Sequence, residues 1–147
     1  MKYYPALLFL LSACCASIAC GDDFASRTIG GACEYQRIPG RATITKVTKA
    51  DPAASNCKDA VEVVYTFTPD EPSAAKHYRF ANHPDTGQYL RVGAGMNPPR
   101  GWAMTKGLVE GAVHRCIRSE VIKGACTPVV FTFPDIDLEG WEKDCFE

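Results

Sequence analysis

The chain has 147 residues, with 16 Lys and Arg against 17 Asp and Glu, and its formal net charge is −1. This balance, with no cluster of Lys and Arg, gives no electrostatic basis for binding nucleic acid, so we expect no nucleic-acid partner. A chain of this length suits one domain with a buried core.

Residues 1–19 have the pattern of a secretory signal peptide. After Met1 and Lys2 no charged residue occurs before Asp22, and the apolar stretch ALLFLL is followed by small residues. A basic start, a short apolar middle and a small-residue end are typical of such a peptide. The apolar core is shorter than the roughly 20 residues that a transmembrane helix needs. We therefore predict that residues 1–19 direct export.

Two tetrapeptides in the leader, LSAC at 11–14 and SIAC at 17–20, resemble the lipobox of bacterial lipoproteins. The resemblance implies cleavage before the cysteine, diacylglycerol on its sulfur, and a place in the cell envelope facing the periplasm or the exterior. Cys20 ends the full apolar run and precedes GDD, so we prefer it to Cys14. The implied partner is a membrane, held through several acyl chains. The alternative is ordinary cleavage after Ala19 and plain secretion.

The segment after the leader is predicted to be a tether over residues 20–40. It is rich in Gly, Asp and Ser and lacks periodic apolar residues, and such a spacer lets a domain clear a membrane surface. Residues 41–147 are then predicted to form a single β-rich domain.

Period-two alternation and dense Gly/Pro punctuation predict short strands in this domain. The clearest is VEVVYTFTP, which places four apolar residues on one face, and a strand is preferred to a short helix for 111–124. The predicted strands cover 41–49, 61–69, 111–124 and 129–133, with a hairpin of 76–82 and 88–93 around the turn HPDTG. The predicted fold is all-β, a small disulfide-stabilised sandwich or partly open barrel of six to seven short strands.

The loop at 93–102 has two interpretations. It contains Asn97, two prolines, Arg100 and Trp102. One interpretation is a connection whose Trp102 packs on the core. The other is a recognition loop that exposes Asn97, Arg100 and Trp102, because Trp and Arg dominate binding hot spots.

Five of the eight cysteines follow the predicted lipidation site: Cys33, Cys57, Cys116, Cys126 and Cys145. In an exported protein they are expected to form two disulfides with one thiol left over, and the favoured pair is Cys116–Cys126. If Cys20 is not lipidated, three disulfides become possible. The enzymatic alternative is a reactive Cys116, because His114, Arg115 and Arg118 surround it and cations lower a thiol pKa.

Metal binding and cofactors are not expected. The cysteine spacings contain no C-x2-C pair among these five residues, and the three histidines form no ligand motif. We therefore predict a non-catalytic, membrane-tethered envelope lipoprotein that binds a protein partner or assists assembly. The alternative is a secreted or tethered inhibitor of an extracellular enzyme that inserts loop 93–102.

Overall fold

The computed structural model describes residues 32–52, 55, 57 and 59–146. The predicted signal peptide and both candidate lipidation sites, Cys20 and Cys14, lie outside the described residues. Processing and lipidation of the leader therefore stay predictions.

Strands dominate the described part of the chain, and short helices connect or follow them. The strands are β1 (Glu34–Lys49), β2 (Val61–Pro69), β3 (Gln88–Leu90), β4 (Val113–Lys123) and β5 (Val129–Thr132). The helices are a 3-10 helix (Pro72–His77), α1 (Arg100–Thr105) and α2 (Glu142–Phe146). The strands form one antiparallel sheet in the order β3-β2-β1-β4-β5, curled into a half-barrel.

The central strand β1 organises the sheet. Its second part, 40–49, pairs with β2, and its first part, 34–43, pairs with β4. Residues 34–40 therefore belong to the sheet, and the tether predicted over 20–40 cannot extend past the start of β1. Gly40 lies where the Phe67 ring crosses β1, and a Cβ atom there would meet that ring at 2.6 Å. The missing side chain thus allows the Phe67 ring of the neighbouring strand β2 to lie across β1.

The core lies on the inner face of the curled sheet. In β2 the predicted alternation is confirmed, because Val61, Val63, Tyr65 and Phe67 are buried. The inner face of β4 differs in chemistry, since it places the charged side chains of Arg118 and Glu120 in the interior beside Cys116.

Two disulfides join distant parts of the chain. Cys33–Cys126 ties the start of β1 to the β4–β5 connection, and Cys57–Cys145 ties the β1–β2 connection to α2. The favoured pair Cys116–Cys126 is wrong. Cys126 is bonded to Cys33, and Cys116 lies seven positions before the end of β4, about 23 Å along the strand at roughly 3.3 Å per residue. Among the described cysteines Cys116 is the free thiol.

The all-β class is confirmed, but finer expectations differ from the structure. The described residues form five strands in one sheet curled into a half-barrel, so neither the count of six to seven strands nor the sandwich, of the two predicted arrangements, is confirmed. The predicted hairpin of 76–82 and 88–93 is wrong, because β3 pairs with β2 and the 3-10 helix ends at His77. The carbonyl groups of Phe80 and His83 accept hydrogen bonds from Arg118, so they are not available for strand pairing.

Candidate functional site: a cavity at the seam of the sheet

The curled sheet leaves a seam between its two edge strands, β3 and β5. Residues of both edges line one cavity of about 430 Å³, together with Tyr65 of β2, Arg91, Thr127, Phe133 and Leu138. We call it the seam cavity. Its volume falls within the roughly 300–1,000 Å³ typical of small-ligand sites.

An aromatic cluster forms the floor of the seam cavity. The Tyr65 ring meets Phe133 at 5.1 Å and Phe131 at 5.9 Å between centroids, both edge to face. This geometry is favourable because the positive edge of one ring faces the negative face of the other. Tyr65 and Phe131 converge because alternate residues of β2 and β5 point to the same inner face, and Phe133 directly follows β5 on the same side. The floor is therefore positioned mainly by the sheet.

The Tyr65 hydroxyl is a polar group within this apolar floor. No other described residue forms a hydrogen bond with it, although Tyr65 is almost fully buried. Burial raises the pKa of Tyr65 above its ordinary value, and the nearby Cys116 adds to the rise. The phenol therefore stays protonated at physiological pH and keeps a hydrogen to donate.

Arg91 stands directly after β3, at the rim of the seam cavity. Its guanidinium donates a hydrogen bond to the side-chain oxygen of Asn97 and lies 4.9 Å from the centroid of the Tyr89 ring. A turn in which Gly93 and Gly95 have positive φ angles brings the chain back, so that Asn97 reaches Arg91. Glycine suits these positions because other residues rarely adopt such φ values.

A second group of charges, which we call the charged cluster, consists of Arg118 and Glu120 on the inner face of β4 and Asp85 from the loop before β3. Arg118 and Glu120 are both 0% exposed, and the guanidinium lies 2.8 Å from Glu120 and 2.6 Å from Asp85. Glu120 also accepts a hydrogen bond from the backbone of Arg79. The cluster thus fastens the loop that follows the 3-10 helix to the sheet, and its polar groups are engaged with one another.

The loop at 93–102 does not present the predicted recognition surface. Asn97 is 4% exposed and Trp102 is 3% exposed. The Trp102 ring nitrogen donates to the carbonyl of Glu139 at 3.1 Å, so this residue anchors α1 to the C-terminal segment. Arg100 is exposed and forms an ion pair with Asp59 at 3.5 Å. The interpretation in which Trp102 packs on the core is the one that the structure supports.

Cys116 lacks the surroundings of an activated thiol. Burial raises the pKa of its thiol to about 12, and the direction is opposite to the lowering that a reactive thiolate needs. The ring of His114 lies 3.1 Å from the carbonyl of Gly107, and Arg115 pairs with Asp135. Two of the groups expected to surround the thiol are therefore engaged elsewhere.

Sequence reasoning missed the residues of the seam cavity, although part of the signal was present. Alternation had already placed Tyr65 on one face of β2, and Phe131 and Phe133 on one side of β5. That these faces meet depends on the curl of the sheet. The contact of Arg91 with Asn97 depends on the intervening turn, and no local sequence pattern predicts this contact.

Comparisons of the chain with protein-family models, with curated proteins and with solved structures found no match. Within 32–52, 55, 57 and 59–146 there is no helix of the length and apolarity required to span a membrane. The same residues bring together no group of three or more His, Cys, Asp or Glu side chains suited to hold a metal ion.

Proposed function

We propose that this protein is a non-catalytic binding module of the cell envelope, exported by residues 1–19 and held on a membrane by lipid on Cys20. Its ligand binds in the seam cavity. The observation that carries the proposal is an aromatic floor beneath an open seam, with a fixed guanidinium at the rim. Concave, mostly apolar sites with few polar groups are where proteins commonly bind small ligands.

The disulfides support the export part of the proposal. Cys33–Cys126 and Cys57–Cys145 join residues 93 and 88 positions apart in the sequence. Such bonds persist in oxidising compartments and are rare in the cytosol. They agree with a leader that directs the chain across a membrane.

The inhibitor alternative loses the surface on which it depended. Asn97 and Trp102 are buried, and of the predicted loop residues only Arg100 offers its side chain to a partner. An inserting loop needs exposed anchors. We therefore place the binding site at the seam cavity and not at loop 93–102.

Intact-mass measurement of the full chain, produced in a Gram-negative host, tests export and lipidation. We expect a product that begins at Cys20, carries acyl chains and contains two disulfides. The Cys20→Ala variant should lose the lipid mass, and the matched Cys14→Ala variant should keep it. A product that retains Met1 and has every thiol reduced would contradict the proposal.

Titration with the neutral fluorescent probe N-phenyl-1-naphthylamine tests the binding site. We expect saturable binding to the folded protein. Leu138→Trp, which adds volume at the cavity wall, should weaken it about tenfold, since overfilling a packed site costs about 1–3 kcal/mol and 1.4 kcal/mol is a factor of ten. Met104→Trp on the exposed face of α1 is the control and should leave binding unchanged. Equal binding by both variants would show that the probe binds elsewhere.

A further inference from the structure

We propose that the ligand of the seam cavity is an apolar carboxylate, whose ring or alkyl body lies on the aromatic floor and whose carboxylate pairs with Arg91. This inference rests on the proposed function and specifies the ligand class for the same cavity. It adds a preference for an acid over the corresponding amide, which a cavity that binds only by apolar contact would not have.

The charge of the cavity lining favours an anion. Among the described residues that line the seam cavity, Arg91 carries a positive charge and none is Asp or Glu. Four other arginines each pair with a carboxylate within 4 Å: Arg41, Arg100, Arg115 and Arg118. Within the ranges that the structure describes, Arg91 has no such partner. Arg37 and Arg79 share that property, but neither lines the seam cavity.

The guanidinium of Arg91 is positioned before any ligand arrives. The buried amide of Asn97 accepts one of its hydrogen bonds, and the Tyr89 ring lies against it. Its remaining N–H groups keep the planar fork that matches the two oxygens of a carboxylate. Because the side chain is already held, less conformational entropy is lost when the ligand binds.

The floor defines the other half of the ligand. The floor offers the aromatic surface of Tyr65, Phe131 and Phe133. It also offers one hydrogen-bond donor, the Tyr65 hydroxyl, which forms no hydrogen bond with another described residue. A hydrated ion would leave these rings facing polar groups. A flat ring or an alkyl chain would cover them and release water.

This chemistry occurs in two sources: a free aryl or alkyl acid, and the C-terminus of a peptide that ends in an apolar residue. Both present one carboxylate beside an apolar group. The experiment therefore has two arms, and each arm compares an acid with the matching neutral amide.

The test is isothermal titration of the folded, disulfide-bonded protein. The first arm uses 1-naphthylacetate and 1-naphthylacetamide, and the second uses the peptide Gly-Ser-Gly-Ser-Phe with a free or an amidated C-terminus. We expect at least one acid to bind about tenfold or more tightly than its amide, since charge-assisted hydrogen bonds are the stronger kind. Arg91→Met should remove that difference, whereas Arg37→Met, which removes an arginine on β1, should keep it.

The outcomes separate this inference from the proposed function. If acids and amides bind equally, or if Arg91→Met keeps the preference, the carboxylate inference is wrong while the seam cavity remains a binding site. If no acid binds but N-phenyl-1-naphthylamine does, the ligand class is again overturned. If Leu138→Trp fails to weaken any of these probes, the proposed function itself is wrong.

Discussion

The charged cluster and the seam cavity use the same side chain in opposite ways. In the charged cluster the guanidinium of Arg118 is fully buried and pairs with two carboxylates, Glu120 and Asp85. At the seam cavity the guanidinium of Arg91 is exposed and is held by a neutral amide and a ring. The first arginine is satisfied by the fold, and the second keeps its charge available.

The two arginines show how a charge that stabilises the fold differs from a charge that can bind a ligand. A buried cation is tolerated only when partners compensate for its lost hydration, so Arg118 needs both carboxylates. Arg91 loses little hydration and needs no such compensation. We therefore expect large stability effects in the charged cluster and small ones at the seam cavity, where the effects should fall on binding.

The largest effect is expected for Arg118→Met. The substitution leaves Glu120 and Asp85 without their cation, and breaking a buried pair in this way costs about 4 kcal/mol. Urea denaturation measures the change in the free energy of unfolding. Arg115→Met is the matched control: its ion pair with Asp135 is exposed at 3.4 Å, so we expect about 0.5 kcal/mol or less. Equal losses in the two variants would contradict the role of the charged cluster.

Removing either disulfide should have the next largest effect. Both close loops of similar length, so the paired Ser variants at Cys33 and Cys126, or at Cys57 and Cys145, should each lose about 3 kcal/mol. Thermal or urea denaturation measures these losses. Only the first pair adjoins Thr127 of the seam cavity, so it should also weaken probe binding. If only the variant without Cys57–Cys145 bound the probe more weakly, the Cys33–Cys126 bond would not be the one that supports the seam cavity.

A smaller effect is expected for Tyr65→Phe. The hydroxyl forms no hydrogen bond with the described residues, so its removal should change the free energy of unfolding by less than about 1 kcal/mol. The ring contacts with Phe131 and Phe133 are retained. A loss of several kcal/mol would show that the hydroxyl has a structural partner.

A stability effect well below that of Arg118→Met is expected for Arg91→Met. The variant leaves the side-chain oxygen of the buried Asn97 without its donor, which we expect to cost about 1 to 2 kcal/mol. Urea denaturation at equal protein concentration measures it against Arg118→Met. If Arg91→Met destabilises the protein as much as Arg118→Met, the two arginines are both structural and the comparison fails.

Local pattern predicted the strands but not their arrangement. Alternation of apolar and polar residues predicts β2 and β5, because burial of one face makes that pattern obligatory, whereas β-branched content favours a strand for β4. The first part of β1 falls in the predicted tether, because residues 20–40 are rich in Gly, Asp and Ser and lack periodic apolar residues, although Gly40 lies in the strand under the Phe67 ring. One of the two interpretations of loop 93–102 exposes Asn97, because its contact with Arg91 exists only once the chain has turned back.

The most direct test of the central claim is amide chemical-shift mapping of the isotope-labelled protein with 1-naphthylacetate and N-phenyl-1-naphthylamine. We predict that the largest changes fall at residues 88–91 and 129–133, the two edges of the seam cavity. Changes confined to α1 or to the outer face of the sheet, or no saturable change with either probe, would contradict the account.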